Sequence, residues 1–368
     1  MSVVVPYRDS RYYALRPNLA IRKPGEPQGA IDLDGRFGLH PALEPLLPLW
    51  KEGRLAFVHA AGSPDSTRSH FDAQDYMETG TPGVKVTSTG WMNRLLAVLP
   101  DTGSALRGLS VGPTLPVIFH GNRPVASIPM GGANANSSPL DRKEVEGAFS
   151  SMYAGRGEMG RAYQEGLASR RELARALQEK GEIEKEMKEA DRGAPPPSRN
   201  ARFGEDLAEL IRKDPRIQLA FLAFGGWDTH VNQGGATGVL SNRLSALGKG
   251  IAQFAQTLGE GLRDTTVVVL SEFGRTVREN GNGGTDHGHG NVMWVLGGEV
   301  RGGKVYGDWP GLSDERLYEK RDLPATTDFR AVLSRVAVSH LRLTAGQIAE
   351  VFPQFPFSAS ALPGLFKA

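Results

Sequence analysis

The sequence of 368 residues contains no cysteine. Without thiols, the chain has no disulfide bonds, thiolate zinc sites, iron–sulfur clusters or cysteine nucleophiles. A chain of this length buries enough apolar surface to fold without such cross-links. The absence leaves the redox compartment open, because a protein without thiols is suited to either side of a membrane.

The sequence also lacks an excess of charge of one sign and a long apolar run. Lys and Arg number 43 and Asp and Glu number 41, so the formal net charge is +2. This balance argues against a nucleic-acid-binding protein that works through a broad basic field. No apolar run reaches the roughly 18 residues that a membrane span needs. Residues 1–10 lack a basic region followed by an apolar stretch, so we predict no export signal there.

Short apolar runs alternate with stretches of helical periodicity. The runs at 217–224 and 266–270 are almost continuously apolar, which is typical of strands buried on both faces of a mostly parallel sheet. Residues 240–262 carry apolar side chains spaced by three and four, and Asp328 is expected to cap a helix over 328–341. This alternation predicts an α/β fold. Further apolar runs cover 55–59, 117–120 and 292–296.

We predict a single domain over residues 1–368, with a helical insertion and a proline-rich linker over 141–200. Residues 170–192 contain seven basic and seven acidic side chains and few apolar ones, which predicts a solvated surface helix. The proline-rich stretch 193–198 ends that helix. A partner-binding coiled coil is the alternative, but the apolar positions are too sparse to favour it.

The first cluster with chemical potential follows the run at 55–59 and contains Ser66, Thr67, Arg68 and His70. A hydroxyl near a helix N-terminus, with an arginine beside it, suits attack on or binding of a phosphate or sulfate group. Ser66 and His70 are four residues apart and share a helix face if the helix starts early enough. The alternative is a Ser- and Asp-rich helix cap with a surface histidine.

Two further clusters also follow apolar runs. Asp228 and His230 supply one oxygen and one imidazole, a mixed set that suits zinc or another divalent metal. Glu272 occupies a predicted strand end, and Arg275 has the geometry to clamp an oxyanion in bidentate fashion. A chance Asp-x-His and a strand-terminal turn with a salt bridge are the alternatives.

The fourth cluster places Asp286, His287 and His289 among glycines directly before the run at 292–296. Glycine allows close approach of the backbone, and the acid and imidazoles supply ligands. Because strand ends in a parallel sheet share one edge, the four clusters are expected to meet. Two divalent ions about 4 Å apart clamp the attacking and leaving oxygens of an in-line displacement, so the pattern favours a phosphoryl or sulfuryl hydrolase.

The motifs resemble the bacterial family called domain of unknown function 1501. The resemblance implies the alkaline-phosphatase-like fold shared with sulfatases and cofactor-independent phosphoglycerate mutases. That fold is a three-layer sandwich with a mostly parallel central sheet and helices on both faces. The strings that carry the resemblance are 65–80, 226–230, 271–276 and 286–289.

The resemblance also implies roles for individual residues. Ser66 is the implied nucleophile, since it lies four residues before a histidine as in the mutases, and Thr67 is the reserve. The implied first metal ion is bound by Asp228, His230 and His289.

The implied second metal site departs from the superfamily pattern. Its Asp-His pair falls on Glu272 and Phe273, so the histidine is missing. Either Asp286 and His287 replace the pair, or the second metal site is degraded. Family members usually open with a strand ending in a further Asp ligand and with a twin-arginine export signal, and this sequence starts after both. A start codon assigned too late is one explanation; if the start is genuine, we expect a destabilised sheet edge and at most one competent metal site. The resemblance also implies export to the periplasm, with a cytoplasmic location left open.

Together these features predict a metal-dependent hydrolase of phosphate or sulfate esters. Zinc is the expected metal, with Mg, Mn or Ca as alternatives, in one or two ions. The expected substrate is an anionic ester, either a small molecule or a polysaccharide. A degraded member that binds anions or polysaccharides, or serves in assembly, is the second hypothesis, and a phosphomutase is the third. The oligomeric state stays open.

Overall fold

The computed structural model describes residues 1–128, 191–197 and 202–367, apart from 103, 113 and 359. The predicted insertion at 141–200 therefore lies outside the described residues, except for 191–197. The α-helices of the described part are α1 (Ser10–Leu15), α2 (Leu47–Lys51), α3 (His70–Thr79), α4 (Trp91–Val98), α5 (Phe203–Lys213), α6 (Val239–Leu258), α7 (Phe329–His340) and α8 (Ala345–Val351). Short 3-10 helices cover Pro41–Leu46, Ala105–Arg107, Val117–Phe119, Gly259–Asp264 and Asp314–Arg316.

The strands of the described part fall into three sheets. They are β1 (Val4–Val5), β2 (Ile31–Asp32), β3 (Gly38–Leu39), β4 (Leu55–Gly62), β5 (Gly108–Val111), β6 (Ala126–Ile128), β7 (Leu219–Leu222), β8 (Thr266–Val269), β9 (Asn291–Gly297), β10 (Lys304–Tyr306) and β11 (Thr327–Asp328). The largest sheet has the order β10-β4-β9-β8, with β11 also paired to β4. A second sheet has the order β6-β5-β7, and a small third sheet the order β1-β3-β2.

The α/β class is as predicted, but the largest sheet is mixed rather than mostly parallel. Strands β10 and β11 run parallel to β4. Strand β9 runs antiparallel to both β4 and β8. The sheet formed by β5, β6 and β7 is parallel throughout. The parallel character expected from the apolar runs therefore holds for the smaller sheet and is interrupted by β9 in the larger one.

The prediction that the runs at 217–224 and 266–270 are buried on both faces was wrong. None of the residues of β7 and β8 is fully buried. Each of these strands lies at the end of its sheet, so within the described residues it has a paired neighbour on one side only. Within the largest sheet of the described part, the fully buried strand is β4, which pairs with three others. The run at 117–120 forms a 3-10 helix instead of a strand, directly after Pro116, whose nitrogen lacks the hydrogen that a ladder uses.

Side chains of β4 alternate between two cores, as the period of two in a strand requires. Leu55 and Phe57 point into a core shared with α6, whose Leu244 and Phe254 are buried there. Ala56 and Val58 point into a second core, which holds the buried side chains of α7 and α8. Helices therefore cover both faces of the largest sheet.

Two of the predicted helices form as expected. Helix α6 covers most of the stretch predicted at 240–262. Asp328 caps α7, since its carboxylate accepts from the Arg330 backbone N–H at 2.9 Å. In the described part of the chain, no helix combines the length and the apolar character needed to cross a membrane.

Candidate metal centre

The antiparallel direction of β9 brings the predicted clusters together. Strand β4 leads into the loop before α3, and β7 and β8 lead to Asp228 and Glu272. Because β9 runs the other way, it begins at the edge where β4 and β8 end; Asn291 is opposite Ala61. The segment that carries His287 enters β9 at that same edge. Segments of the four clusters therefore come together, although β9 contributes its start instead of its end and β7 belongs to a different sheet.

The ligand atoms of His70, Asp228 and His287 all lie within 4.8 Å of one another. One carboxylate oxygen of Asp228, Oδ1, lies 3.1 Å from His287 Nε2, and the other, Oδ2, lies 3.5 Å from His70 Nε2. A third imidazole borders this group, since His230 Nε2 lies 2.8 Å from Asp228 Oδ1 and 3.0 Å from His287 Nε2. We call these four residues the histidine centre.

The second ring nitrogen of each imidazole, Nδ1, has its own hydrogen-bond partner. His70 Nδ1 lies 2.7 Å from Glu272 Oε1, and His230 Nδ1 lies 2.8 Å from Asp286 Oδ1. His287 Nδ1 donates to the backbone carbonyl of Arg68 at 2.8 Å. A carbonyl only accepts, so this bond places the proton on Nδ1 and leaves a lone pair on His287 Nε2. Imidazoles that bind metals are oriented in the same way.

One nitrogen of the centre is buried without a hydrogen-bond partner. His70 Nε2 is inaccessible to solvent, and its separation of 3.5 Å from Asp228 is too long for a good hydrogen bond. An orphaned buried acceptor is costly unless a cation or a proton satisfies it. Imidazole nitrogens together with one carboxylate are a donor set that zinc prefers. The residues present therefore fit a divalent metal ion.

The charges around His70 favour a positive charge at this point. Burial alone lowers the pKa of His70, but the hydrogen bond to Glu272 and the negative charges of Asp228 and Glu272 outweigh burial and raise the pKa to about 9. Burial likewise raises the pKa of Asp228, but its interactions with His287, His70 and Arg275 outweigh burial and hold that pKa far below its usual range. The centre is thus an ionised carboxylate beside a guanidinium and imidazole nitrogens, and it attracts either a proton or a metal ion.

Glu272 and Asp286 were predicted as metal ligands, and the structure places both behind imidazole rings. Glu272 receives hydrogen bonds from His70 and, at 2.7 Å, from the Ser271 hydroxyl. Burial raises the pKa of Glu272, but these two hydrogen bonds outweigh burial and lower it. Hydrogen bonds from His230 and Asn280 lower the pKa of Asp286. Both carboxylates therefore stay ionised and orient the rings.

Arg275 was predicted to clamp an oxyanion. In the structure its guanidinium donates to Asp228 and to both the hydroxyl and the backbone carbonyl of Thr285. The arginine therefore holds a residue of the centre in place. A backbone bridge between Arg275 and His287 fixes the two segments side by side.

The predicted nucleophile and its neighbours lie in the loop before α3. Because the helix begins at His70, Ser66 precedes it, and the predicted shared helix face does not form. Ser66 is exposed. The Thr67 hydroxyl accepts from the Ser69 backbone N–H at 3.2 Å, so it shapes the loop. The Arg68 guanidinium pairs with Asp322 at 2.7 Å, and only its backbone carbonyl reaches the centre.

His289 does not join the other histidines, although the sequence placed it in the first ligand set with Asp228 and His230. Its ring stacks on Tyr318 with the centroids 5.0 Å apart. Burial lowers the pKa of His289, so the ring is neutral at neutral pH. In the structure, His70 and His287 lie beside Asp228 where the sequence predicted His289. The sequence predicted His70 as a catalytic residue beside Ser66, whereas the structure places it among the candidate metal ligands.

A sequence model of the family described as protein of unknown function (DUF1501) matches residues 56–352. The chain belongs to this family. The DUF1501 region begins in β4 and ends just after α8, so it includes every residue of the histidine centre. No curated protein and no solved structure matches the sequence.

Proposed function

We propose that this protein is a divalent-metal-dependent hydrolase of phosphate or sulfate esters, of the alkaline-phosphatase-like superfamily. The observation that carries the proposal is the convergence of His70 Nε2, Asp228 and His287 Nε2. The superfamily assignment depends on the motif resemblance, which places the same segments at the active site.

The metal would be held by His70, Asp228 and His287, with His230 at the border of the site. When bound, a divalent ion supplies a Lewis acid that takes up charge on the transferring group. The chain contributes the orientation of the ligands, since carboxylates or a carbonyl fix the ring of each histidine. The donor set of nitrogens with one oxygen favours zinc over magnesium or calcium.

A cleft of about 200 Å³ is lined in part by Asp286, the carboxylate that orients His230 of the centre. Its lining includes Arg278 and Lys320, which form no ion pair with a carboxylate in the described part of the chain. Among the acids of the lining, Asp314 pairs with an arginine, and Glu279 accepts from the backbone of Leu19 at 2.8 Å. Arg278 and Lys320 can therefore bind an anionic substrate, which supports the proposal.

In the proposed reaction, Ser66 is the nucleophile. Its oxygen attacks phosphorus or sulfur, the bond to the alcohol oxygen breaks, and the alcohol leaves with a proton from solvent. Ser66 is exposed, so its own proton passes to water. Water then cleaves the phosphoryl- or sulfuryl-serine, which releases the inorganic anion and returns a proton to the serine oxygen. Thr67 is the second candidate for this role.

A non-catalytic anion-binding protein is the second candidate function. The specific observation that favours it is the pairing of Arg275 with Asp228. A guanidinium at this carboxylate supplies positive charge to the centre without a metal ion. Such a centre binds an anionic ester and leaves it intact.

The test combines metal binding with turnover. The full chain is stripped with a chelator, loaded with zinc, manganese or magnesium, and assayed with aryl phosphates and aryl sulfates. We expect zinc-dependent hydrolysis, and we expect Asp228→Asn and His287→Gln to weaken zinc binding at least about 10-fold. Ser66→Ala should abolish turnover but not zinc binding. The control is His120→Gln, since His120 is exposed and lies outside the centre.

Two results would contradict the proposal. One is a chain that holds no metal after reconstitution. The other is turnover that survives both Ser66→Ala and Thr67→Ala, which removes the proposed nucleophile. Anion binding without hydrolysis across the panel would instead support the second candidate.

A further inference from the structure

Residues 191–197, here called the clasp, contact two elements that each supply a residue of the histidine centre. One element is helix α3, which begins with His70. The other is the loop at 223–228, which follows β7 and ends with Asp228. The clasp lies apart in sequence from both, so its contacts are tertiary.

The contacts with the loop are made through the backbone. Asp191 Oδ2 accepts from the Gly226 N–H at 2.7 Å, and the Pro195 carbonyl accepts from the Gly225 N–H at 3.1 Å. A Cβ atom on Gly225 would lie 2.3 Å from the Asp191 carboxylate carbon, so the close approach requires glycine. These bonds hold the loop two and three residues before Asp228.

The contacts with α3 are made through one arginine. Arg192 Nη2 lies 2.6 Å from Asp75 Oδ1 and 3.2 Å from the Phe71 carbonyl oxygen. Arg192 Nη1 lies 3.4 Å from Glu78 Oε1. The guanidinium therefore bonds to three residues of α3, the helix that begins with His70.

Asp191 and Arg192 are adjacent in the chain. Asp191 holds the loop that carries Asp228, and Arg192 holds the helix that carries His70. His70 Nε2 and Asp228 Oδ2 are 3.5 Å apart. Two atoms that bind one metal ion at about 2 Å each must keep a separation close to this value. A shift of either element changes the separation directly.

We propose that Asp191 and Arg192 are positioning residues that keep His70 and Asp228 at the separation that a divalent metal requires. This inference depends on the proposed function, because it takes the histidine centre to bind metal. Neither residue touches the metal or the substrate.

The test measures zinc affinity of the full chain by competition with a chromogenic chelator. We expect Asp191→Ala and Arg192→Met each to weaken zinc binding about 10-fold, the size of effect that residues behind metal ligands have. Asp191→Asn keeps an oxygen that accepts from Gly226 and should restore most of the affinity. The matched control is Lys85→Met: Lys85 pairs with Asp72 of α3 and, among the residues that the structure describes, makes no bond to the loop at 223–228.

A second measurement separates positioning from folding. The absorption spectrum of the cobalt(II)-loaded protein reports ligand geometry, and we expect it to change in Arg192→Met but not in Lys85→Met. Thermal unfolding of the metal-free variants shows whether each variant folds. If Arg192→Met does not fold, Arg192→Lys, which keeps the charge, is measured in its place. Wild-type affinity and spectrum in both clasp variants would overturn this inference alone. A wild-type chain that binds no metal would overturn the proposed function and this inference with it.

Discussion

Acidification is expected to destabilise the fold through two buried histidines outside the centre, His40 and His59. His40 Nδ1 accepts from the Ala42 backbone N–H at 3.0 Å, and its other nitrogen donates to the Gly235 carbonyl. His59 Nδ1 accepts from the Ala60 N–H at 3.0 Å in the same way. An imidazolium has no lone pair with which to accept, so both rings must be neutral in the folded state.

The magnitude follows from the pKa values. Burial lowers the pKa of His40 from 6.5 to about 4 and that of His59 to about 3. In the unfolded chain both groups gain a proton as the pH falls through 6.5, while in the folded chain they do not. The unfolded state then binds more protons, so the free energy of unfolding decreases with falling pH. Between pH 7 and pH 5 each histidine costs about 2 kcal/mol.

The assay is urea denaturation of the metal-free chain from pH 7 to pH 5, in wild type and in His40→Asn. Asparagine keeps an oxygen that accepts from Ala42 but does not titrate. The difference between the two curves isolates His40 from every other titrating group. We expect the variant to lose about 2 kcal/mol less than wild type over this range. Parallel curves would refute the claim that His40 is neutral in the fold.

Two further predictions concern the centre and the core. Glu272→Gln removes the charge behind His70 and should weaken zinc binding about 10-fold in a chelator competition; an unchanged affinity would show that this carboxylate does not orient the ring. Phe329→Ala empties a fully buried position in the core beside α8 and should cost about 3–5 kcal/mol in chemical denaturation, whereas a loss below 1 kcal/mol would mean that the core collapses around the gap.

Local patterns in the sequence predicted the parts of the fold that depend on local interactions. The spacing of apolar residues predicted α6, and the short polar side chain of Asp328 predicted the start of α7. Strand direction was not predictable in this way, because the run that becomes β9 has the same composition whether it runs parallel or antiparallel to β4. Its neighbours in space decide that direction, and one of them, β4, is far away in the chain.

The candidate site shows the same difference between what local sequence patterns predict and what the three-dimensional arrangement decides. The sequence located the segments that carry Asp228, His230 and His287, since acids and imidazoles beside glycine are conspicuous. It could not separate residues that face the centre from residues behind it, because that depends on ring orientation. His289 illustrates the difference, since it lies only two positions after His287 and yet its ring packs on Tyr318.

Arg16 links the first part of the chain to the segments of the centre. Its guanidinium is fully buried and donates to the carbonyls of Val277 and Thr276, at 2.8 and 2.7 Å. Those carbonyls follow directly after Arg275, which holds Asp228, while Arg16 itself precedes the DUF1501 region. Protein engineers who trim this chain to the DUF1501 region would remove a residue that buttresses the segments of the histidine centre. A minimal domain for biochemical work should therefore retain Arg16 together with α1.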